Sequence, residues 1–266
     1  MDHTRTLLQA IEKAVKDATE GKDTAVAFSG GLDSGVVAAF ASKYFRELRS
    51  YTVGTPDSHD VVSAKEMAKK MGIDNTVIKI EEDDIIQALE KMIMITGTRD
   101  PVTLSFEIPL FFVCRQCSEK DIIGGQGADE LFAGYSKYVG VGPEPLKAMI
   151  SSDMEKLRNS TLPHEKAVAD HFGKTIHYPF LNEDVVRVVE EMDISELMSD
   201  GSPLSRKRPL RDIADIMGLE ALSTRDKKAA QYGSGAMTLI KRICRSKDIT
   251  YKQLIDELSG GDTIDQ

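Results

Sequence analysis

The feature that most constrains the fold is residues 24–35, TAVAFSGGLDSG, in which a short apolar run ends abruptly in a glycine-rich turn. The run predicts a buried strand over Thr24–Phe28, and the apolar residues after the turn predict a helix over Gly35–Phe45. Gly30 and Gly31 let the backbone approach a bound anion closely. Because the free N–H groups at a helix start favour negative charge, this arrangement is typical of a phosphate-binding loop.

Three polar side chains in the turn refine this interpretation. Ser29 and Ser34 supply hydroxyl donors. Asp33 would repel a bare phosphate, but it would fit a Mg²⁺ ion held between its carboxylate and the phosphates. The turn contains neither GxxxxGKS/T nor GxGxxG, so it is neither of those two familiar phosphate motifs.

Strands and helices alternate through the first half of the chain, which predicts an α/β fold with a parallel sheet flanked by helices. The predicted strands are Thr24–Phe28, Leu48–Val53, Asn75–Ile80 and Asp121–Ile123. The predicted helices are 4–19, 35–45, 61–71, 83–96 and 106–117, the last with Pro109 near its first turn.

After Gly142 the periodicity becomes helical with little strand signal. Helices are predicted over 144–158, 163–172, 183–192 and 203–217, with two short ones at the end. We therefore expect an α/β core over 1–142 and a mainly helical part over 143–266 that completes the same domain.

Charge and composition limit the function classes. The net charge of −9 argues against a broad non-specific grip on nucleic acid. One basic cluster, Arg206-Lys207-Arg208, is interpreted as a solvated helix start. The chain starts with a polar amphipathic stretch instead of a signal peptide, and its apolar runs are too short to cross a bilayer, so we expect a cytoplasmic protein.

The chain has three cysteines, of which Cys114 and Cys117 form one CxxC motif. Without a second CxxC there is no zinc signature, and the apolar flank favours a buried helix end. The alternative is redox or iron–sulfur chemistry with Cys244 as a third ligand.

Two motifs together carry a family resemblance. SGGLDS at 29–34 resembles the signature loop of the N-type ATP pyrophosphatases, which cleave ATP between its α- and β-phosphates and transfer AMP to a substrate oxygen. GQGADELFAGY at 125–135 resembles the GxGxDExFxGY motif of the synthetase domain of asparagine synthetases. Further similar segments follow in the same order: Asp100-Pro101, Ile108-Pro109-Leu110, Tyr178-Pro179-Phe180-Leu181-Asn182, Pro209-Leu210-Arg211 and the stretch 225–235, RDKKAAQYGSG.

The resemblance implies an adenine nucleotide alpha-hydrolase-like (PP-loop) fold that uses ATP and Mg²⁺. Asp33 and Asp129 would share the Mg²⁺ ion, and both would act in catalysis. Lys227 would neutralise the charge on the leaving pyrophosphate, with Lys228 as an alternative. The residues implied in holding pyrophosphate are Ser29, Gly30, Gly31 and Ser34, and backbone near Val26, Phe28, Val53 and Gly125 would hold adenosine.

The implied reaction has two steps. Mg-ATP and a carboxylate, such as aspartate, give an acyl-adenylate and pyrophosphate. An amine then attacks the acyl carbon and releases AMP. Positioning and charge neutralisation would supply the rate.

The sequence departs from the family in two ways. It begins Met1-Asp2, without the catalytic Cys and the glutaminase domain, so we expect free ammonia, another amine or ammonia from a separate glutaminase partner. Gln126 stands where asparagine synthetases usually carry Glu and where their β-lactam-forming relatives carry Tyr. An amide is not a base at neutral pH. Glu107 is a candidate substitute, although a helix-start acid is the simpler interpretation.

Two other functions remain open at this stage. One is a PP-loop enzyme that adenylates an RNA base, which the acidic balance opposes and the CxxC motif favours. The other is a nucleotide-binding subunit that needs a partner, which the intact loop opposes and Gln126 favours. Related synthetases often pair, so a homodimer is a further expectation.

Overall fold

The computed structural model describes residues 2–44, 48–198, 205–224 and 230–260. Its centre is a five-stranded, all-parallel sheet in the order β3-β2-β1-β4-β5. The strands are β1 (Thr24–Ala27), β2 (Arg49–Gly54), β3 (Asp74–Lys79), β4 (Asp121–Ile123) and β5 (Thr175–His177). The predicted α/β class with a parallel sheet flanked by helices is confirmed.

Helices connect and cover these strands. In the first part of the chain they are α1 (His3–Thr19), α2 (Leu32–Ala41), α3 (His59–Met71), α4 (Glu82–Thr96), α5 (Pro101–Gln116) and α6 (Ala128–Leu131). They continue as α7 (Pro143–Lys156), α8 (Leu162–His171), α9 (Glu183–Glu190), α10 (Ile194–Leu197), α11 (Arg208–Ile216), α12 (Glu220–Ser223), α13 (Ala230–Gly233), α14 (Ala236–Lys247) and α15 (Tyr251–Leu258).

Two hydrophobic cores lie on opposite faces of the sheet. Alternate residues of a strand point to opposite faces, so Val26 of β1 joins the core formed with α1, α2, α9 and α11. Its neighbour Ala25 joins the second core, formed with α4, α5, α14 and α15. Helices on both faces bury a parallel sheet on both sides, as this sheet type requires.

The strand order places a topological switch point between β1 and β4. The chain moves outward from β1 to β2 and β3, and then returns to the other side of β1 as β4. Val26 is aligned with Ile123 in this pair, so the loops that follow the two strands emerge side by side. Ligands of open α/β sheets bind at the carboxyl ends of the strands at such a point.

The start of α5 differs from the prediction. The helix begins at Pro101, because the Asp100 side chain accepts a hydrogen bond from the Thr103 N–H at 2.7 Å and proline suits the first helical position. Pro109 therefore lies in the helix interior, and Glu107 is a buried interior residue, so the helix-start interpretation of Glu107 was wrong.

Strand β5 was not predicted from the sequence. It is three residues long and pairs in parallel with β4, with Asp121 aligned to Thr175. A segment this short carries too few residues for an alternating pattern to be recognised. The boundary near 142 stays a prediction.

No helix within the four described segments is both long enough and apolar enough to cross a membrane.

Candidate active site

The loop after β1 is held in shape by its own side chains. The Ser29 N–H donates to Ser34 Oγ at 3.1 Å, and the two hydroxyl oxygens lie 3.1 Å apart. The Gly31 N–H donates to Ser29 Oγ at 3.3 Å. Gly30 has φ +70°, and a Cβ there would lie 2.5 Å from the Ala64 backbone nitrogen. Only glycine fits this position, so α3 fixes the path of the loop.

Asp33 and Asp129 come together at the carboxyl edge of the sheet through one ammonium group. Lys207 Nζ donates to Asp33 Oδ2 at 2.6 Å and lies 2.9 Å from Asp129 Oδ1. Asp33 is in the first turn of α2, which follows β1, and Asp129 is in α6, which follows β4. The predicted convergence of these two carboxylates is therefore present in the structure.

The position of Lys207 contradicts the interpretation of the Arg206-Lys207-Arg208 cluster as solvated. Lys207 is only 3% exposed, and burial lowers the pKa of its ammonium while Asp33 raises it. Proline at 209 lies in the first turn of α11. The residue before the helix is in the left-handed region, with φ +54° at Lys207, and its N–H donates to Phe132 O at 3.1 Å. This backbone turns the side chain inward.

Gly134 makes room for the contact. A Cβ at this position would lie 2.1 Å from both Asp129 Oδ1 and Lys207 Cε. Its N–H donates to Asp129 O at 2.8 Å, and its carbonyl accepts from Arg206 at 3.1 Å. The conformation of the GADELFAGY segment and the position of the ammonium therefore depend on each other.

The two carboxylates fit a Mg²⁺ site. Asp33 Oδ1 is buried and receives no hydrogen bond from any described residue, so one oxygen is available as a ligand. The described segments contain no cluster of three or more metal-ligating side chains. Mg²⁺ commonly binds one or two carboxylates together with substrate phosphates, so this donor set is the expected one.

A cavity of about 630 Å³ extends along the strand ends from β2 to β5 and reaches both carboxylates. Of the residues expected to hold ATP, the lining includes Phe28, Ser29, Asp33, Ser34, Val53 and Gly125. Gly30, Gly31 and Val26 are not in the lining: the glycines shape the loop, and Val26 is a fully buried core residue. Lys227 and its alternative Lys228 lie outside the described residues.

Two acidic side chains, Glu107 of α5 and Glu165 of α8, also line this cavity, and we refer to them as the buried acid pair. They are 2% and 7% exposed. Burial and the charge of Glu165 raise the pKa of Glu107 to about 8. Burial also raises the pKa of Glu165 to about 7, although hydrogen bonding with Tyr178 and Gln126 opposes the shift. Gln126 Nε2 donates to Glu165 Oε1 at 2.6 Å.

Lys207 and Glu165 are the site residues that the sequence analysis missed. Lys207 lies directly before the Arg208-Pro209-Leu210-Arg211 stretch, part of which carried the family resemblance, so that proximity was an available signal. Glu165 lies on an ordinary helix with no motif around it, and no sequence signal identifies it.

The cysteines match the structural interpretation. Cys114, Cys117 and Cys244 are all buried and free. Burial, with the neighbouring Cys117, raises the pKa of Cys114 to about 12, so this thiol is protonated and poorly nucleophilic at neutral pH.

Comparisons with known proteins show which family the chain is similar to. The asparagine synthase family profile matches residues 6–141. A putative glutamine-hydrolysing asparagine synthetase of Methanocaldococcus jannaschii is 28% identical over 283 aligned positions, covering 92% of this chain and 52% of the relative. A glutamine-hydrolysing asparagine synthetase of Sandersonia aurantiaca is 28% identical, covering 69% and 39%. The chain thus spans about half or less of these relatives.

Among solved structures, NMN synthetase from Francisella tularensis is similar at 14% identity and a TM-score of 0.45, covering 97% of this chain and 85% of that one. The family match extends over more than half of the chain and includes both loops of the site. The protein therefore belongs to the asparagine synthase family.

Proposed function

We propose that this protein is an ATP-dependent ligase of the asparagine synthetase type. It adenylates a carboxylate, releases pyrophosphate and transfers the acyl group to ammonia or another amine. One observation carries the proposal: Asp33 and Asp129 both form ion pairs with the Lys207 ammonium at the switch point of the sheet. The Ser29–Ser34 loop, which is held by its own hydrogen bonds, lies beside them.

ATP would lie across the carboxyl ends of β1 and β4. Phe28 and Val53 line the cavity on the β2 side and would contact adenosine. The Ser29 and Ser34 hydroxyls and the N-terminus of α2 would face the phosphates, where N–H groups favour negative charge. Asp33 and Asp129 would hold Mg²⁺, which when bound neutralises phosphate charge.

Lys207 has a defined part in this proposal. In the structure its ammonium neutralises both carboxylates, 2.6 and 2.9 Å away. With both carboxylates holding Mg²⁺, the Lys207 ammonium would be available to phosphate oxygens at the same edge of the sheet. Lys227 is proposed to approach the pyrophosphate from the 225–235 stretch.

The test is acid-dependent exchange of radiolabelled pyrophosphate into ATP, measured with aspartate and a panel of other amino acids and carboxylic acids. Exchange that depends on one acid establishes adenylation and identifies the substrate. Ammonium, other amines and glutamine are then compared as nitrogen donors in full amide synthesis with that acid.

Variants connect the activity to the site. Asp33→Asn and Asp129→Asn should each lower exchange about 100-fold, because each removes a charge-positioning group from the reacting phosphates. Asp170→Asn is the matched control, since Asp170 is an exposed acid of α8 that forms a surface ion pair with Lys166. No exchange with any acid, in a protein that still binds ATP, would refute the ligase proposal and favour a nucleotide-binding subunit.

A further inference from the structure

The buried acid pair lines the same cavity as the loop that is proposed to bind ATP, but it is carried by other elements, α5 and α8. Glu107 and Glu165 line it beside Gln126 and Tyr178, which follow β4 and β5. The loop proposed to hold the phosphates follows β1 instead. The acid pair and that loop therefore belong to different elements around one cavity.

Both carboxylate oxygens of Glu107 lack a hydrogen-bond donor among the described residues. The Glu165 carboxylate accepts a hydrogen bond from Gln126, and the Tyr178 hydroxyl lies beside it. His164 Nδ1 lies 3.6 Å from Glu107 Oε1, which is too far for a hydrogen bond. Buried polar atoms without partners are costly, so a ligand that brings several N–H donors and positive charge would be favoured here.

Gln126 contacts the buried acid pair directly. Its Nε2 donates to Glu165 Oε1 at 2.6 Å, so the amide orients the carboxylate. A third acid at this position would add a like charge to two carboxylates that already repel each other. A base for the nitrogen substrate would therefore have to come from neighbouring helices.

We propose that the buried acid pair is the binding site of the nitrogen substrate, ammonium or a small primary alkylammonium ion, and accepts its protons during amide formation. This assignment rests on the proposed function. It is favoured by the match between the two unpartnered oxygens of Glu107, beside a second carboxylate, and the N–H groups of a compact cation. Gln126 precedes Asp129 by three residues, so the pair and the adenylation site meet at one loop.

The proton balance calls for two acceptors. Ammonium first transfers one proton to one carboxylate of the pair, which frees the nitrogen lone pair. The nitrogen then bonds to the acyl carbon, and the bond from that carbon to the AMP oxygen breaks, with the electron pair leaving on AMP. The nitrogen finally loses a second proton to the other carboxylate.

The surroundings suit acceptors that work near neutral pH. Burial raises the pKa of both carboxyls into the neutral range, where a general base is most effective. The groups that face the pair are Gln126 after β4, Tyr178 after β5, His164 of α8, Cys114 of α5 and Glu130 of α6. A bound cation would favour the charged form of each acid and so lower its pKa.

The experiment compares two half-reactions in Glu107→Gln, Glu165→Gln and Glu107→Asp. The first is acid-dependent pyrophosphate exchange without amine, and the second is amide synthesis with ammonium. Each glutamine variant should keep wild-type exchange and lose about 100-fold in amide synthesis, with a higher KM for ammonium. Glu107→Asp should retain part of the activity, and Asp170→Asn should behave as wild type.

Hydroxylamine provides a further readout, because it is a good nucleophile that is mostly uncharged at neutral pH. The glutamine variants should retain most of their hydroxamate synthesis, since this nucleophile has no proton to lose before attack. Unchanged amide synthesis from ammonium, or equal losses with ammonium and hydroxylamine, would overturn the assignment. Equal losses in exchange would also overturn it, since the acids would then serve adenylation or folding. If wild-type protein shows no exchange with any acid, the proposed function itself fails.

Discussion

Replacing Lys207 by methionine should destabilise the protein, and Mg²⁺ should reverse the loss. Methionine retains the length of the side chain and removes the ammonium between Asp33 and Asp129. At 2.6 and 2.9 Å, each ionic contact contributes about 6 kcal/mol of attraction at an effective dielectric constant of about 20. Most of this offsets the cost of burying the ammonium, which is several kcal/mol.

The net loss of stability arises because Lys207→Met leaves two carboxylates without a counter-charge. Breaking a buried ion pair by removing one partner costs about 3–5 kcal/mol, because the remaining charge is not neutralised. The carboxylate side chains of Asp33 and Asp129 are 24% and 20% exposed, so solvent screens part of their repulsion. We therefore expect the lower end, a fall of about 3 kcal/mol in the free energy of unfolding.

The assay is urea unfolding followed by circular dichroism, first in EDTA and then with excess Mg²⁺. Magnesium should recover most of the loss in Lys207→Met and change the wild type little, because only the variant has an unneutralised pair. Lys166→Met, which alters an exposed lysine of α8, should change stability by less than about 0.5 kcal/mol. Adding Asp129→Asn to Lys207→Met should also recover stability in EDTA. A Lys207→Met protein as stable as wild type in EDTA, or one that Mg²⁺ does not stabilise, would refute the reasoning.

Two further predictions test the shape and the titration of the site. Gly134→Ala would place a Cβ 2.1 Å from Asp129 Oδ1 and Lys207 Cε, so pyrophosphate exchange should fall about 100-fold, the effect of a displacement of about 1 Å. Gly142→Ala, where a Cβ meets no atom within 4 Å, is the control, and equal activity of the two variants would contradict the prediction. The buried acid pair has pKa values raised from 4.5 to about 8 and about 7, so the folded state holds protons that the unfolded state releases in this window. The free energy of unfolding should therefore fall as pH rises from about 5 to 8, by up to about 1.4 kcal/mol per pH unit for each group. Urea titrations at several pH values should show this slope in wild type and not in the double glutamine variant; a slope that persists in the variant would assign it to other groups.

Local sequence was sufficient for most of the elements. The strand and turn at 24–35, the alternation of strands and helices, and the exact strand Asp121–Ile123 all depend on short-range patterns of apolar residues and glycine. Helix ends were less accurate, as at α5, where an Asp cap and proline start the helix at Pro101, five residues before the predicted start. A helix N-cap is a single side chain, so it cannot be recognised from the periodicity of apolar residues.

The family motifs identified Asp33 and Asp129 because both residues lie in conspicuous glycine-rich turns whose strands neighbour each other in any sheet with this switch point. The same reasoning failed for Lys207. A run of three basic residues normally lies in solvent, and only the left-handed backbone at this residue directs the ammonium into the site.

The tertiary structure alone decided which residues contact each charged group. Glycines, apolar periods and turn residues act on neighbours along the chain, so they determined the α/β class and the glycine-rich turn after β1. Gln126 and Glu165 form a hydrogen bond although they are 39 residues apart in the chain, and β5 is needed to bring α8 against the loop after β4. Burial and charge repulsion change their chemistry only after that packing, because desolvation is a property of the folded environment and not of the residue.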